Sequence, residues 1–288
     1  MPSTLVVTGC DAGHYSLVAE LLTSLHDAGR EGFDIGFVHV GDDDVPPEIA
    51  SRIDRLVHVR GDAFFENRGE GFRLAYTGVK ARLPEYFPGY DTYVWLDGDT
   101  WVQNRAGIDQ IVHCAQLADL CAHPELDPNY HRMNVPSDRL MHLYGGLYGA
   151  EAASRDIRAP QFNSGVFGAK ASSPLWRLWS EAQVEANAKV AATPGLYHSD
   201  QTPLHHLIAS GRLGAYPLRA VNNWLVHAAY PAVNLARKRL TAPTFPFEEI
   251  NIVHLTWVTK TARFRLGDTG RDISFRYAEI KALFAEPG

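Results

Sequence analysis

The sequence predicts an α/β protein in which helices flank a central, mostly parallel sheet of the Rossmann-like type. Three observations support this fold class. Short apolar runs alternate with amphipathic stretches through the N-terminal part of the chain, as in parallel strands joined by helices. One of these runs ends in two carboxylates, where parallel strands present ligand-binding residues. The apolar fraction of 45% and the charged fraction of 21% are those of an ordinary globular protein, and 288 residues suffice to bury a large core.

The N-terminal part is predicted to follow the order strand, helix, strand, strand, helix, strand. Its first helix places leucine and valine residues on one stripe, which is typical of a helix packed against a sheet. This order is that of the mononucleotide-binding half of a doubly wound sheet. The predicted strands cover residues 5–8, 35–40, 56–59 and 93–96, and the predicted helices cover residues 15–27 and about 72–83.

The fourth strand runs directly into Asp97-Gly98-Asp99. Two carboxylates at a strand end repel each other unless a cation lies between them or one takes up a proton. Hard oxygen ligands suit Mg²⁺ or Mn²⁺, which usually share their coordination shell with substrate phosphates, and Gly98 leaves room for that approach. Asp-Gly is also ordinary turn sequence. The turn interpretation is weaker here, because residues 100–102 at once resume apolar, β-favouring sequence.

The second half of the chain is predicted to complete the same domain. Residues 122–160 lack regular periodicity and are interpreted as long loops with short helices, which in compact domains are commonly functional. We expect one domain over residues 1–288, with a nucleotide-binding half at 1–105 and a second half at 106–288. The remaining predicted elements are strands at 161–169 and 251–255, helices at 175–190 and 202–209, and a return to the sheet at 216–225.

Composition and charge narrow the possible partners and compartment. A net charge of −6 argues against a surface that coats nucleic acid, although it permits one bound nucleotide. No apolar run approaches the roughly 20 residues that span a bilayer, and the N-terminus passes directly into a strand without a signal peptide. Three cysteines form no disulfide framework. We therefore expect a cytoplasmic protein without a transmembrane segment, whose basic residues 237–239 could contact an anionic membrane surface.

Phosphate binding cannot rely on a glycine-rich loop, because the chain contains neither a G-x-G-x-x-G fingerprint nor a P-loop. Metal and side chains must then hold any phosphate. Several separated motifs, in this order, resemble the retaining glycosyltransferases of family 8, which include glycogenin and bacterial lipopolysaccharide galactosyl- and glucosyltransferases. The motifs are the first strand with Tyr15, Lys80, Asp97-Gly98-Asp99, Asn163-Ser164-Gly165, Asp200-Gln201, and His254 followed six residues later by Lys260.

The resemblance implies a GT-A fold and the transfer of a hexose from a nucleotide-sugar, usually UDP-linked, with Mn²⁺ or Mg²⁺. It implies that Asp97, Asp99 and His254 bind the metal. Gln201 then stabilises the sugar as positive charge develops, and Asp200 holds its hydroxyl groups. Donor-binding positions implied by the resemblance are Thr8, Cys10, Asp11 and Tyr15 for the nucleoside, Lys80 and Lys260 for sugar or phosphate, and Asn163 and Ser164 for the sugar pocket.

Three positions depart from the family pattern. Thr202 stands where an aspartate often follows the Asp-Gln pair, Trp257 stands where a glycine is expected, and Thr261-Ala262 replaces a common Pro-Trp. Simpler interpretations also exist for two site residues. A histidine at a strand end is ordinarily a hydrogen-bonded core residue, and Asp200 is suitably placed to be only the N-cap of the following helix.

Two other functions stay open at this point. An apolar strand followed by Asp-x-Asp also begins phosphohydrolases of the haloacid dehalogenase type, with the first aspartate as nucleophile. Those enzymes normally carry the motif on their first strand, whereas other strands precede it here. A catalytically silent nucleotide-sugar-binding protein is the second alternative. The sequence does not decide between a front-face and a covalent route to retention, and it does not identify the acceptor.

Overall fold

The computed structural model describes residues 3–59, 78–131, 138–267 and 270–286. Within these ranges the strands of the central sheet number seven, in the order β3-β2-β1-β4-β7-β6-β8. Their bounds are Thr4–Cys10 for β1, Asp34–Val40 for β2, Arg55–Val59 for β3, Thr92–Leu96 for β4, Leu120–Ala122 for β6, Val166–Lys170 for β7 and Ala215–Pro217 for β8; β5, at Thr100–Val102, belongs to a second sheet.

The sheet is mostly parallel, which confirms the predicted fold class. Only β7 runs antiparallel to its two neighbours, β4 and β6, while all other pairings are parallel. The carboxyl ends of β1, β4 and β6 therefore lie at the same edge of the sheet as the start of β7. Residues that precede β7 therefore lie close to residues that follow β1, β4 and β6.

Helices cover both faces of the sheet. On one face pack α1 and α4, and on the other pack α7 and α8. The α-helices that lie wholly within the described ranges are Tyr15–Ala28 for α1, Pro47–Ala50 for α2, Leu83–Tyr86 for α3, Ala106–Cys114 for α4, Asp138–Tyr148 for α5, Ala150–Asp156 for α6, Leu175–Ala192 for α7, Gln201–Ala209 for α8 and Tyr277–Ala285 for α9.

Side-chain alternation along β4 shows why this strand is apolar throughout. Tyr93 and Trp95 belong to the cluster that contains residues of α7 and α8, whereas Val94 and Leu96 belong to the cluster that contains residues of α1 and α4. Successive strand residues point to opposite faces, so a strand covered on both faces must be apolar at every position. The run therefore ends at Leu96, where the sheet edge begins.

A second, smaller sheet brings the C-terminal part of the chain to the same edge. It has the order β5-β12-β9, with β9 at Trp224–Leu225 and β12 at Ile252–His254. Antiparallel pairing places His254 opposite Thr100, next to Asp99. The strand predicted at 251–255 is thus present, although it pairs outside the central sheet. The remaining strands form two hairpins, β10 (Ala232–Asn234) with β11 (Arg239–Thr241) and β13 (Phe264–Leu266) with β14 (Arg271–Ile273).

The structure can be compared with the predicted elements one by one. The predicted helix at 72–83 falls partly outside the described residues; residues 78 and 79 are helical, and a 3-10 turn, Lys80–Arg82, leads from them into α3. Residues 161–165 are not in a strand, because β7 begins only at Val166. The segment 122–160 contains helices α5 and α6, in agreement with the prediction of loops with short helices, whereas α4 and β6 were not predicted. Among the helices of the described ranges, none has the length and apolar character needed to cross a membrane.

Candidate active site

Three side chains from distant parts of the chain meet at the sheet edge. The Nε2 atom of His254 lies 3.2 Å from Asp99 Oδ1 and 4.0 Å from Asp97 Oδ2. One ligand atom from each of the three residues lies within 4.8 Å of the others, so the group has the geometry of a metal site. The resemblance implies that these three residues bind a metal, and the structure places them together.

Backbone hydrogen bonds hold the two aspartates in place. The amide of Asp97 donates to the carbonyl of Gly165 at 2.7 Å, at the start of β7. Thr100 turns back onto Asp97, because both its amide and its hydroxyl donate to the Asp97 carbonyl. The carbonyl of Asp99 accepts from the amide of Leu255 at 2.8 Å. The turn after β4 is thereby joined to the central sheet and to β12.

Lys80 is buried between two of the predicted site carboxylates. Its Nζ atom lies 2.8 Å from Asp97 Oδ1 and 2.8 Å from Asp200 Oδ2, and it donates to the carbonyl of Ser164 at 3.1 Å. Burial by itself disfavours the charged form, but the two carboxylates outweigh it and raise the pKa of Lys80 above its ordinary value. The cation therefore neutralises the carboxylates and joins β4 to the start of α8.

Asp99 has cationic partners on its other side. Lys260 Nζ lies 2.7 Å from Asp99 Oδ2, while His254 approaches Oδ1. Burial would raise the pKa of Asp99, but the charges of His254 and Lys260 outweigh it and hold this pKa well below the usual range. Asp99 is therefore ionised at neutral pH, as a metal ligand must be.

The donor set fits a divalent metal of the Mg²⁺ or Mn²⁺ type. Two carboxylates and one imidazole are ligands suited to Mn²⁺, and all three side chains are directed at one point. The Nδ1 atom of His254 is hydrogen-bonded to Asn223 Oδ1 at 2.9 Å, which leaves Nε2 facing the carboxylates. Histidines that bind a metal through one ring nitrogen usually make such a hydrogen bond with the other one.

Gly165 leaves the space that this cluster needs. A Cβ atom added there would lie 2.2 Å from His254 Cε1 and 2.8 Å from Asp97 Oδ2. We expect Gly165→Ala to displace the imidazole and to lower metal affinity and turnover by about 100-fold. Gly145→Ala is the control, since a Cβ at Gly145 meets no described atom within 4 Å and a helical alanine stabilises by about 0.5–1 kcal/mol. Calorimetric titration with Mn²⁺ compares the two variants, and equal affinity would contradict this account.

Two cavities adjoin this cluster and share part of their lining. The smaller has a volume of about 240 Å³ and extends toward the end of β1; the larger has about 470 Å³ and extends toward α5 and α8. Shared by both are Asp97, Asp99, Asp200 and Lys260. Asp97, Asp99 and Lys260 thus lie between the two cavities, and His254 lines the larger one.

Four residues are predicted to bind the nucleoside, and the structure places one of them, Cys10, in the lining of the smaller cavity. Cys10 lines it, and burial raises the pKa of the Cys10 thiol. Thr8 is buried in β1, and its hydroxyl has no hydrogen-bond partner among the described residues. Asp11 caps the following turn through the amide of Gly13, and the Tyr15 hydroxyl is bonded to His39. The structure therefore brings Cys10 to the cavity and gives Asp11 and Tyr15 local structural roles.

Gly98 lines the smaller cavity as well. A Cβ atom at this position would lie 2.7 Å from Val18 Cγ2 in α1 and 3.4 Å from the carbonyl of Gly9. The sequence suggested that glycine leaves room for a ligand. In the structure the close neighbour is helix α1, so packing alone already requires glycine at position 98.

The predicted sugar-pocket residues are linked to one another. The Ser164 hydroxyl donates to Asp200 Oδ2 at 2.9 Å, and Gln201 Oε1 accepts weakly from the Ser164 amide at 3.4 Å. Asp200 occupies the N-cap position of α8, but its side chain caps no helix amide. Its carboxylate is instead bound by Ser164 and Lys80, so the simple capping interpretation does not hold.

Two residues of this site, Glu125 and Asn223, are not among the predicted site residues. Glu125 Oε1 accepts from the side-chain amides of Asn163 at 2.9 Å and Gln201 at 3.0 Å, and Asn223 lies behind His254. Glu125 follows β6 as Asp97 follows β4. A search for polar residues after short apolar strands would therefore have found both. Asn223 has no comparable local signal.

Solved structures of the galactosyltransferase LgtC are similar to this chain over almost its whole length. LgtC in complex with donor and acceptor sugar analogs has a TM-score of 0.58 and 15% identity, covering 99% of this chain and 97% of that chain. An active-site mutant of LgtC has a TM-score of 0.58 and 14% identity, with the same coverage. No family model and no curated protein matches the sequence. At this identity the likeness establishes the fold, and the predicted GT-A fold is confirmed.

Proposed function

We propose that this protein is a metal-dependent retaining glycosyltransferase that moves a hexose from a UDP-sugar to a saccharide acceptor. One observation carries the proposal: Asp97, Asp99 and His254 converge within 4.8 Å from the middle and the far end of the chain, in a GT-A fold. The similar LgtC was solved with donor and acceptor sugar analogs, which supports a sugar at both ends of the reaction. In this proposal residues 1–105 bind the nucleotide and residues 106–288 complete the sugar site.

In the proposed transfer, the charged and polar side chains of the site have different roles. A divalent ion, Mn²⁺ or Mg²⁺, when bound by Asp97, Asp99 and His254, supplies positive charge that stabilises the departing diphosphate. Lys260 adds a second positive charge to the same region. Gln201 lines the larger cavity, and Asp200 lines both cavities. There the carboxamide oxygen of Gln201 stabilises positive charge on the sugar, and Asp200 binds its hydroxyl groups.

The two cavities suit the two substrates. The smaller one is lined by Gly9, Gly98 and Cys10, one of the predicted nucleoside residues, and we assign it to the nucleotide. The larger one contains the polar groups of Gln161, Asn163 and Ser164 beside aromatic rings, and we assign it to the donor sugar and the acceptor. Lys80 lines the smaller cavity, and its ammonium holds the carboxylates of Asp97 and Asp200 together.

A single assay tests this function against its alternatives. The purified protein is incubated with UDP-, GDP- and dTDP-sugars and Mn²⁺, with and without a chelator, and nucleotide release is measured. Metal-dependent release of UDP is expected. Phosphate release from small phosphate esters would favour a phosphohydrolase, and binding of UDP-sugar without turnover on any acceptor would favour a silent binding protein.

Trp257 is the proposed contact for the acceptor. The five other tryptophans are buried, whereas the Trp257 indole is 76% exposed and lines the larger cavity. It stacks on His227 with ring centroids 5.7 Å apart, which supports one face of the indole. Its backbone φ of 53° is unusual for a bulky residue and typical of functional segments. An open indole face offers a flat apolar surface to a pyranose ring.

We expect Trp257→Gly to raise the KM for the acceptor about tenfold while Trp257→Phe keeps it near the wild-type value. Glycine tolerates the positive φ, so the first variant should fold normally. The measurement uses UDP-glucose or UDP-galactose with lactose, maltose and cellobiose as acceptors. A rise in the donor KM with an unchanged acceptor KM would mean that the indole covers the donor and would contradict the assignment.

A further inference from the structure

A third cavity lies between the end of α1, strand β5, the turn that joins β10 to β11, and helix α9. Its volume is about 420 Å³, which is within the range of small-molecule sites. Among the described residues, none that lines it also lines either of the two active-site cavities. We propose that this cavity binds one anionic amphiphile, a molecule with a phosphate head group and an apolar chain.

The third cavity and the proposed nucleotide site lie at opposite ends of α1. This helix begins at Tyr15, directly after His14, which lines the smaller active-site cavity. It ends at Ala28, which lines the third cavity. A helix of 14 residues is about 21 Å long. A ligand in the third cavity is therefore separate from the substrates of the proposed transfer.

The inner wall of the third cavity is apolar. Trp101 and Ile280 are buried in it, and Phe284 is half-buried. Trp101 Nε1 donates to the carbonyl of Phe275 at 2.8 Å, and the indole contacts the ring of Tyr277 with centroids 5.4 Å apart. The indole nitrogen is already hydrogen-bonded, so this side chain offers a ligand only its hydrocarbon surface. Such a wall gains free energy when an apolar chain displaces water from it.

Basic side chains complete the lining. Lys238, Arg239 and Lys281 are all exposed and all line the cavity. Arg239 is paired with Glu249 at 3.2 Å, and Lys281 is paired with Asp27. The ammonium of Lys238 has no ion-pair partner in the part of the chain that the structure describes. The lining thus carries an excess of positive charge, which is complementary to a phosphate group.

The two parts of the lining together define the class of ligand. Exposed cations alone hold a free phosphate ion weakly, because water and salt screen them. An uncharged apolar molecule makes no use of the positive charge. A ligand that has both parts satisfies the wall and the cations at once. Two of the three basic residues at 237–239, Lys238 and Arg239, therefore line a cavity of defined shape and do not form only a flat basic surface.

The test measures binding of dihexanoyl phosphatidic acid by isothermal titration calorimetry, below the concentration at which this lipid forms micelles. Dihexanoyl phosphatidylcholine has the same chains without a net charge, and inorganic phosphate has the head group alone. We expect phosphatidic acid to bind about tenfold more tightly than either of the other two. A chelator is present and no nucleotide-sugar is added, so the result does not depend on the proposed transfer.

Three variants locate the binding in this cavity. Lys238→Asn and Lys281→Gln should each raise the Kd for phosphatidic acid about fivefold, because each removes one positive charge from the lining. Asparagine tolerates the φ of 53° at position 238, so the first variant should fold normally. Asp27→Asn should lower the Kd about twofold, because Asp27 is the only acidic residue among the described residues that line the cavity.

Arg177→Gln is the matched control. Arg177 is an exposed residue of α7 that pairs with Glu181 outside this cavity, and the variant loses the same single charge. We expect it to bind phosphatidic acid as the wild type does. Equal affinity for phosphatidic acid and phosphatidylcholine would overturn the inference, and so would an unchanged Kd in Lys238→Asn or equal weakening in Arg177→Gln. Binding to phosphatidylglycerol vesicles without binding of the short-chain lipid would also overturn it, since the basic residues would then act only as a charged surface.

Discussion

Asp99→Asn is expected to lower the rate of metal-dependent UDP release from a UDP-sugar by about 1,000-fold. The substitution removes one of two carboxylates in the proposed metal site and the partner of Lys260, whose Nζ lies 2.7 Å from Asp99 Oδ2. Both the metal and the lysine charge are then misplaced relative to the departing diphosphate. The rate is measured with saturating Mn²⁺, so that weaker binding of the ion does not conceal a loss in the chemical step.

The stability of this variant provides a second, pH-dependent measurement. The sequence alone suggests that a metal-free carboxylate cluster is repulsive and that the variant keeps its stability. The structure places two cationic partners beside Asp99, which hold its pKa low in the folded state. Asp99 therefore stabilises the fold at neutral pH, and this contribution is lost as the pH falls below about 4, toward the folded-state pKa. The variant should be less stable than the wild type at neutral pH and differ little from it in acid.

Asp109→Asn serves as the control for this variant. Asp109 is an exposed aspartate in α4 whose partner is Arg105, and it lies outside both cavities. Exposed ion pairs contribute about 0–1 kcal/mol, so we expect normal turnover and nearly normal stability. Wild-type turnover in Asp99→Asn would remove the metal site from the proposed mechanism.

Lys80→Met is expected to destabilise the metal-free protein by about 3 kcal/mol. The side chain of Lys80 is buried, and its removal leaves Asp97 and Asp200 without their shared cation. We take the low end of the range for broken buried pairs because the Asp97 side chain is 30% exposed to water. For a protein of this size, such a loss corresponds to a fall in Tm of about 6–12 °C, measured by thermal unfolding in the presence of a chelator.

A double variant distinguishes charge from packing in this experiment. Adding Asp200→Asn to Lys80→Met removes one stranded carboxylate, so part of the lost stability should return. Lys189→Met is the control, because Lys189 makes a half-exposed pair with Glu185 on α7 and should contribute less than about 1 kcal/mol. If the double variant is no more stable than Lys80→Met, loss of packing rather than stranded charge accounts for the effect.

Several residues implied by the resemblance lie together in the structure, but the resemblance does not give the contacts of each one. Lys80 was expected to reach the donor, yet in the structure its ammonium is already held by two carboxylates and a carbonyl. Asp200 was open to interpretation as a helix cap, and its side chain caps nothing. A motif reports that a residue type is suited to a site. The partner of a side chain depends on which other segments reach that edge, and spacing along the chain does not contain this information.

Local patterns in the sequence determined two kinds of element: strands that are buried on both faces and helices that bury one apolar stripe. The apolar run of β4 and the apolar stripe of α1 can be recognised from periodicity, because a buried face imposes its spacing on the residues that form it. The carboxylates are recognised because they follow directly where the apolar run ends, at Leu96. Tertiary structure alone decided that β7 runs antiparallel, that β12 joins a second sheet, and that Glu125 and Asn223 lie behind Gln201 and His254. Hydrogen bonds between residues far apart in the chain form only after the sheets have brought their strand ends to one edge, so no local pattern records them.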